Sequence, residues 1–220
     1  KIPPKTGAMR EQLHLATNTA RETGQLLMSH YGAVGDIRDK QSRAIEHRTG
    51  NALRDADYDP ITAADREADA FLKERLTTAF PDYGWLSEET ADSPKRLERS
   101  GAWIVDPIDG TKGFLRGQHY AIALGRIEDG KVVAGVMGCP NLSTDQSFPL
   151  HEIDPCGVVY AASDGAGAWE FADCDATTTP MRIVAQQFDE SRPLRFCESA
   201  EKGHSNRSDS EQIIEAVGTR

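Results

Sequence analysis

Met9, Leu13, Ala16, Ala20, Leu27 and Tyr31 recur at spacings of three, four or seven, the stripe of an amphipathic helix. Gly32 and Gly35 mark its expected end. Residues 36–59 are polar and charged without a clear period, which predicts a long excursion. A second stripe, Ala64, Ala68, Phe71, Leu72, Leu76 and Ala79, predicts another helix, with Thr62 placed to cap its start and Pro81 to stop it.

Short apolar runs follow at Trp85–Leu86, Ala102–Val105, Tyr120–Ile127 and Val132–Met137. The last two flank Glu128-Asp129-Gly130-Lys131, where Asp-Gly is a hairpin signal. Val158–Ala162 and Ala168–Phe171 flank Asp164-Gly165 in the same way, and Met181–Val184 and Leu194–Cys197 read as further strands. Ser208 with Glu211 forms a capping-box signature for a last helix holding Ile213, Ile214 and Val217. Helices, then antiparallel strands, then a strand–helix unit predict an α+β or α/β layered sandwich. We expect an α+β domain over residues 1–190, with its antiparallel sheet carrying the functional site. A second, α/β domain would begin within 191–220, the boundary falling at Ser191-Arg192-Pro193.

Composition narrows the function. The hydrophobic fraction is 38% and the charged fraction 27%, which fits a globular chain. A formal net charge of -10 excludes general electrostatic binding of nucleic acid. It also means that a phosphorylated substrate would need a local cation. Cys139, Cys156, Cys174 and Cys197 have no C-x-x-C spacing and are expected to be free thiols in a reducing compartment. Lys1 to Lys5 hold no apolar signal core, and no apolar run approaches the roughly 20 residues that cross a bilayer. A cytoplasmic location with no membrane partner is the resulting expectation. Oligomeric state is not readable from the sequence.

The segment with the most chemistry is Trp103-Ile104-Val105-Asp106-Pro107-Ile108-Asp109-Gly110-Thr111-Lys112-Gly113. An apolar strand runs into two carboxylates three residues apart. Pro107 is expected to end the strand, and Gly110 to permit a tight turn. A helix opening at Gly110 or Thr111 would aim free N–H groups beside both acids. Carboxylates for a hard cation, next to amides for phosphate oxygens, are what phosphoryl chemistry requires. Taken alone, Asp106 and Asp109 also fit a simple turn cap. Two further acidic segments change that balance: Trp85-Leu86-Ser87-Glu88-Glu89-Thr90, and Pro60-Ile61-Thr62-Ala63-Ala64-Asp65. Each has a plain alternative, a solvated turn for Glu88–Glu89 and a capping box for Thr62 and Asp65.

Asp59-Pro60-Ile61-Thr62-Ala63-Ala64-Asp65, Leu86-Ser87-Glu88-Glu89-Thr90 and Asp106-Pro107-Ile108-Asp109-Gly110-Thr111 together resemble the inositol monophosphatase-like superfamily of lithium-sensitive, magnesium-dependent phosphatases. The continuation Lys112-Gly113-Phe114-Leu115-Arg116-Gly117 is similar to its 3′(2′),5′-bisphosphate nucleotidase branch. So are Gly138-Cys139-Pro140-Asn141-Leu142 and Glu198-Ser199 with Gly203-His204-Ser205. The resemblance implies an αβαβα sandwich and two or three Mg2+ ions. Glu88, Asp106 and the Ile108 carbonyl would hold one ion, and Asp106 and Asp109 would share a second. Thr111 would relay a proton from the attacking water to Asp65. The Gly110 and Thr111 amides would hold phosphate oxygens. Ser199, His204 and Ser205 would contact a small phosphorylated nucleotide, and Lys112 would meet a second phosphate or serve only as surface charge. Arg116 is as well suited to an ion pair. His47, His119 and His151 have no visible partner, and Trp85, Trp103 and Trp169 read as core aromatics.

The chain departs from its relatives in one respect. They run roughly half as long again, beyond an ordinary one-domain length. Their second half supplies a further metal-ligand aspartate in a Trp-Asp-x-Ala segment, and no Trp-Asp occurs here. The resemblance therefore implies an incomplete second domain, weak magnesium binding and slow or no hydrolysis by the 220-residue chain alone. A competing expectation is a non-catalytic metal- or nucleotide-binding relative.

Overall fold

The computed structural model describes residues 7–31, 37–39, 60–145, 147–173, 179–185, 187 and 207–217. They fall into two compact units. The first contains the described residues through Val184, and the second contains Ala185, Gln187 and a terminal helix.

In the first unit, α1 (Gly7–Met28) and α2 (Ala63–Ala79) carry the two apolar stripes. Helix α1 stops ahead of the glycines, at a turn where His30 N–H donates to Leu27 O at 2.9 Å. A short antiparallel pair, β1 (Ile37–Asp39) with β2 (Pro60–Thr62), leads into α2, which opens immediately after Thr62. The rest of the expected excursion, residues 40–59, lies outside the described residues.

The main sheet has seven strands in sequence order: β3 (Tyr83–Ser87), β4 (Gly101–Asp109), β5 (Ala121–Glu128), β6 (Lys131–Cys139), β7 (Val158–Ser163), β8 (Gly167–Ala172) and β9 (Met181–Ile183). From β4 onward every pair is antiparallel, but β3 runs parallel to β4. The sheet is therefore mixed rather than purely antiparallel, and a connection holding a 3₁₀ turn (Pro94–Glu98) carries the chain from β3 to β4. Asp129 and Gly130 adopt φ of 48° and 72° between β5 and β6, the left-handed pair of a two-residue hairpin. Asp164-Gly165 lies in the β7–β8 turn, as the sequence predicts.

Helices α1 and α2 cover one face of the sheet. Leu13, Ala16, Ala20 and Leu27 from α1 and Ala64, Ala68, Leu72 and Leu76 from α2 share a core with Trp103, Val105, Ile122, Leu124, Val136 and Val159. Trp103 and Val105 of β4 and Ile122 and Leu124 of β5 enter that core in alternation, as strand geometry requires. Trp103 is buried, while Trp85 and Trp169 pack at its edge. Ile104 and Met137 face the other way and are exposed. Helices layered on one side of a sheet make the expected α+β architecture.

Cys156 corrects the thiol expectation, because it is disulfide-bonded, whereas Cys139 is a buried free thiol. In the second unit, α4 (Arg207–Val217) is the expected last helix, with Ser208 its second residue. The strand expected at Leu194–Cys197 and the boundary at Ser191-Arg192-Pro193 lie outside the described residues. No helix among the described residues is long and apolar enough to cross a membrane.

Candidate active site

The site is built at the end of β4. Trp103 and Val105 anchor this strand in the core, and Asp106 follows on the opposite face. Pro107 does not end the strand, which continues through Asp109. Its ladder with β5 shifts register between Asp106 and Asp109, and Pro107 sits within that irregularity. A proline cannot donate to a ladder, and a bulge is where a sheet tolerates one. The shift re-aims the residues that follow, as bulges beside functional sites do.

Gly110 then takes φ of 93° and ψ of 41°, a left-handed conformation that favours glycine. From it springs α3 (Thr111–Leu115), held down by buried Phe114 and Leu115. Phe114 packs edge-on against Tyr31, with ring centroids 5.7 Å apart, and against Tyr120 at 4.9 Å. Lys112 lies on this short helix, and the Arg116 N–H closes its end by donating to Gly113 O at 3.0 Å.

Asp65 occupies the first turn of α2 and is 1% exposed. The Thr111 hydroxyl lies 3.3 Å from its Oδ1 and 3.1 Å from Ile108 O. Asp65 is thus engaged across 46 positions of sequence, which a local capping box does not explain. Asp106 Oδ1 accepts from Ile108 N–H at 3.1 Å, tying the first acid to the backbone that carries the second.

Glu88 follows β3, and its N–H donates to Val105 O at 3.2 Å. Ser87 pairs with Val105 across the parallel ladder, so Glu88 and Asp106 are the next residues on adjacent strands. Both line one cavity of about 800 Å³ on the exposed face of the sheet. Asp109 is not among the residues lining it. Burial, with the nearby Asp109 and Asp173 carboxylates adding to it, pushes the Cys139 thiol up to about 11. Cys139 therefore stays protonated near neutral pH and is not a nucleophile there.

The residues fit magnesium in kind. Among the described residues no three acidic, histidine or cysteine side chains converge as a ready-made metal cage. The donors at the strand ends are the Glu88 and Asp106 carboxylates and the Ile108 carbonyl. Magnesium takes such hard oxygens, with water and substrate phosphate completing its shell. Ser199, His204 and Ser205 lie outside the described residues. Sequence reasoning left His119 and Asn141 without roles. The structure joins them, with His119 Nδ1 3.2 Å from Asn141 Oδ1. No local pattern announces that contact across 22 positions.

The sequence pattern of the inositol monophosphatase family matches residues 8–218. The chain belongs to that family. It is 40% identical over 116 residues to a 3′(2′),5′-bisphosphate nucleotidase of Schizosaccharomyces pombe, covering 53% of this chain and 32% of the relative. It is 33% identical over 186 residues to 3′(2′),5′-bisphosphate nucleotidase 2 of Candida albicans, covering 83% of this chain and 51% of that protein. The chain thus spans about half the length of the second relative and about a third of the first. Among solved structures, the IMPase of Thermotoga maritima superposes with a TM-score of 0.61 at 24% identity, covering 94% of this chain and 64% of that one. CysQ of Bacteroides thetaiotaomicron, a bacterial member of the family, superposes with a TM-score of 0.54 at 20% identity, covering 94% and 68%. These two likenesses show the fold.

Proposed function

We propose that this chain serves a magnesium-dependent phosphomonoesterase that removes the 3′-phosphate of 3′-phosphoadenosine 5′-phosphate, leaving AMP and phosphate. One observation carries the reading. A buried carboxylate, Asp65, faces the hydroxyl of Thr111, beside strand ends bearing Glu88, Asp106 and Asp109. A site that only bound a ligand would have no use for such a proton-accepting pair. The names of the curated relatives support the nucleotide as substrate.

In this reading Glu88, Asp106 and Ile108 O hold one Mg2+, and Asp106 and Asp109 hold another. When bound, the metal neutralises phosphate charge and makes water a better nucleophile. Thr111 accepts a proton from the attacking water and passes its own to Asp65. The Gly110 and Thr111 amides orient phosphate oxygens. As the water oxygen bonds to phosphorus, the bond to the 3′-oxygen breaks, that oxygen takes a proton from solvent, and Asp65 returns its proton to solvent. Lys112 is proposed to meet the second phosphate, and Ser199, His204 and Ser205 the nucleotide. The cytoplasmic setting expected from the sequence stands against the disulfide at Cys156, and no nucleic-acid or membrane partner is proposed.

The test is phosphate release by the purified chain from the bisphosphate nucleotide, with and without magnesium, beside a panel of inositol phosphates. Slow magnesium-dependent release that prefers the nucleotide is expected, since the chain spans only part of the length of its relatives. Equal rates on inositol phosphates would transfer the same chemistry to a broader small-molecule substrate, which the family description also accommodates. Asp109→Asn separates catalysis from binding: it abolishes turnover in an enzyme and only weakens ligand affinity in a binding protein.

A further inference from the structure

Asn141 is 0% exposed and follows the end of β6, distant in sequence from every residue assigned above. Its side chain is fully used. Nδ2 donates to Gln118 O at 3.0 Å and to the Tyr31 hydroxyl at 2.9 Å. A carbonyl only accepts, so the amide nitrogen must face Gln118 O, which leaves Oδ1 to accept from His119 Nδ1 at 3.2 Å. The Tyr31 hydroxyl in turn donates to Gln118 O at 2.9 Å. On the far side of the imidazole, Nε2 lies 2.8 Å from Leu150 O. Two side chains, Asn141 and Tyr31, therefore bond the Gln118 carbonyl, and Asn141 also meets the imidazole of the next residue.

Those two positions are what α3 leans on. Gln118 N–H donates to Gly113 O at 2.8 Å. A Cβ at Gly113 would stand 2.7 Å from His119 O, so helix and segment touch backbone to backbone. Tyr31 also packs against Phe114, the buried anchor of α3. A shift of the 118–119 backbone would have no slack to absorb it before reaching the helix that carries Thr111.

We propose that Asn141 is a positioning residue for the hydrolytic centre: with Tyr31 and His119 it clamps the Gln118–His119 backbone against α3 and so sets the Thr111 hydroxyl opposite Asp65. The inference rests on the proposed hydrolytic reading, and the alternative role for Asn141 is a core amide that merely satisfies buried carbonyls. Asn141 touches no substrate in this account. It acts through the segment under α3.

Asn141→Asp keeps the shape and removes both donors. Tyr31→Phe keeps the ring contacts and removes only the hydroxyl, and it carries the test if the first variant does not fold. Two readouts are taken on the full 220-residue chain: kcat and KM for phosphate release, and amide hydrogen exchange across residues 111–120 against the strands β7 and β8. The expected result is kcat reduced by about tenfold or more, because small misplacements of reacting groups are costly. KM should stay within about twofold, since uniform binding is untouched. Exchange should quicken over 111–120 and stay unchanged in β7 and β8. Wild-type kcat in the variants overturns the proposal, whatever happens to exchange. Unchanged exchange over 111–120 overturns the clamp. A wild-type chain without even slow magnesium-dependent turnover counts against the hydrolytic reading of this chain, and exchange over 111–120 then decides the clamp alone, so the two failures are told apart by the wild type.

Discussion

The hydroxyl of Thr111 stands 3.3 Å from Oδ1 of Asp65, joining the first turn of α3 to the first turn of α2. That hydroxyl has one proton and two acceptors in reach, because Ile108 O lies 3.1 Å away. A hydroxyl so placed can hand its proton to the carboxylate while taking another. Thr111→Val preserves the shape and deletes the relay. We expect phosphate release to fall by about 10²-fold or more, the usual scale for a positioned proton acceptor. Thr111→Ser should retain most of it. Thermal unfolding of both variants should stay close to wild type, and an active Thr111→Val would remove Thr111 from the mechanism.

Glu88 and Asp106 occupy neighbouring positions on parallel strands and open onto one cavity. Glu88→Gln keeps the side chain's size and removes its charge, so it should weaken magnesium rather than the fold. The magnesium concentration for half-maximal activity is expected to rise by at least about tenfold, the lower range for disturbing a metal site. Calorimetric titration with magnesium alone gives an independent reading. An unchanged titration would exclude Glu88 as a ligand.

Much of this arrangement was legible in the chain because its signals are local. The stripes of α1 and α2 are periodic over many residues. Asp129-Gly130 can hardly be anything but a tight turn. What was not legible depends on distant partners. The parallel pairing of β3 with β4 rests on a crossover that apolar runs do not encode. Pro107 stayed in its strand because the ladder shifts around it, a matter of register rather than of residue type. The acids of the site were visible as residue types at strand ends, but the contact of Thr111 with Asp65 became visible only once α2 and α3 were folded together. Asn141 stood in a stretch resembling the nucleotidase branch, but its pairing with His119 carried no local signal.

The disulfide at Cys156 bears on where the chain works. Cross-links of this kind persist in oxidising surroundings and are scarce in reducing ones. If the bond forms in the isolated chain, reductant should lower the unfolding temperature, and so should Cys156→Ser. The expected loss is roughly 2–4 kcal/mol, the usual range for a bridge that restricts the unfolded chain. Cys139 should resist alkylation in the folded protein under either condition, because it is buried and its thiol is pushed up to about 11. A chain indifferent to reductant, with Cys156 freely alkylated, would restore the expectation of free thiols.

Asp173 offers a pH signature unrelated to turnover. It closes β8 against α1, where Arg21 Nε donates to its Oδ1 at 3.0 Å and to its backbone carbonyl at 2.9 Å. Burial raises the Asp173 carboxyl to about 6, and the opposing pull of Arg21 only moderates this. A carboxyl with a raised folded pKa binds its proton more tightly folded than unfolded. Its contribution to stability is therefore fully present below about 4, the ordinary aspartate range, and is lost as pH rises through about 6. The change is on the order of 1–3 kcal/mol, because each pKa unit corresponds to about 1.4 kcal/mol. Asp173→Asn removes the titration and should flatten the profile between pH 4 and 6 relative to wild type. Chemical denaturation at several pH values in that window measures the difference. Parallel profiles for the two proteins would mean that the carboxyl titrates near its ordinary value, with Arg21 outweighing burial.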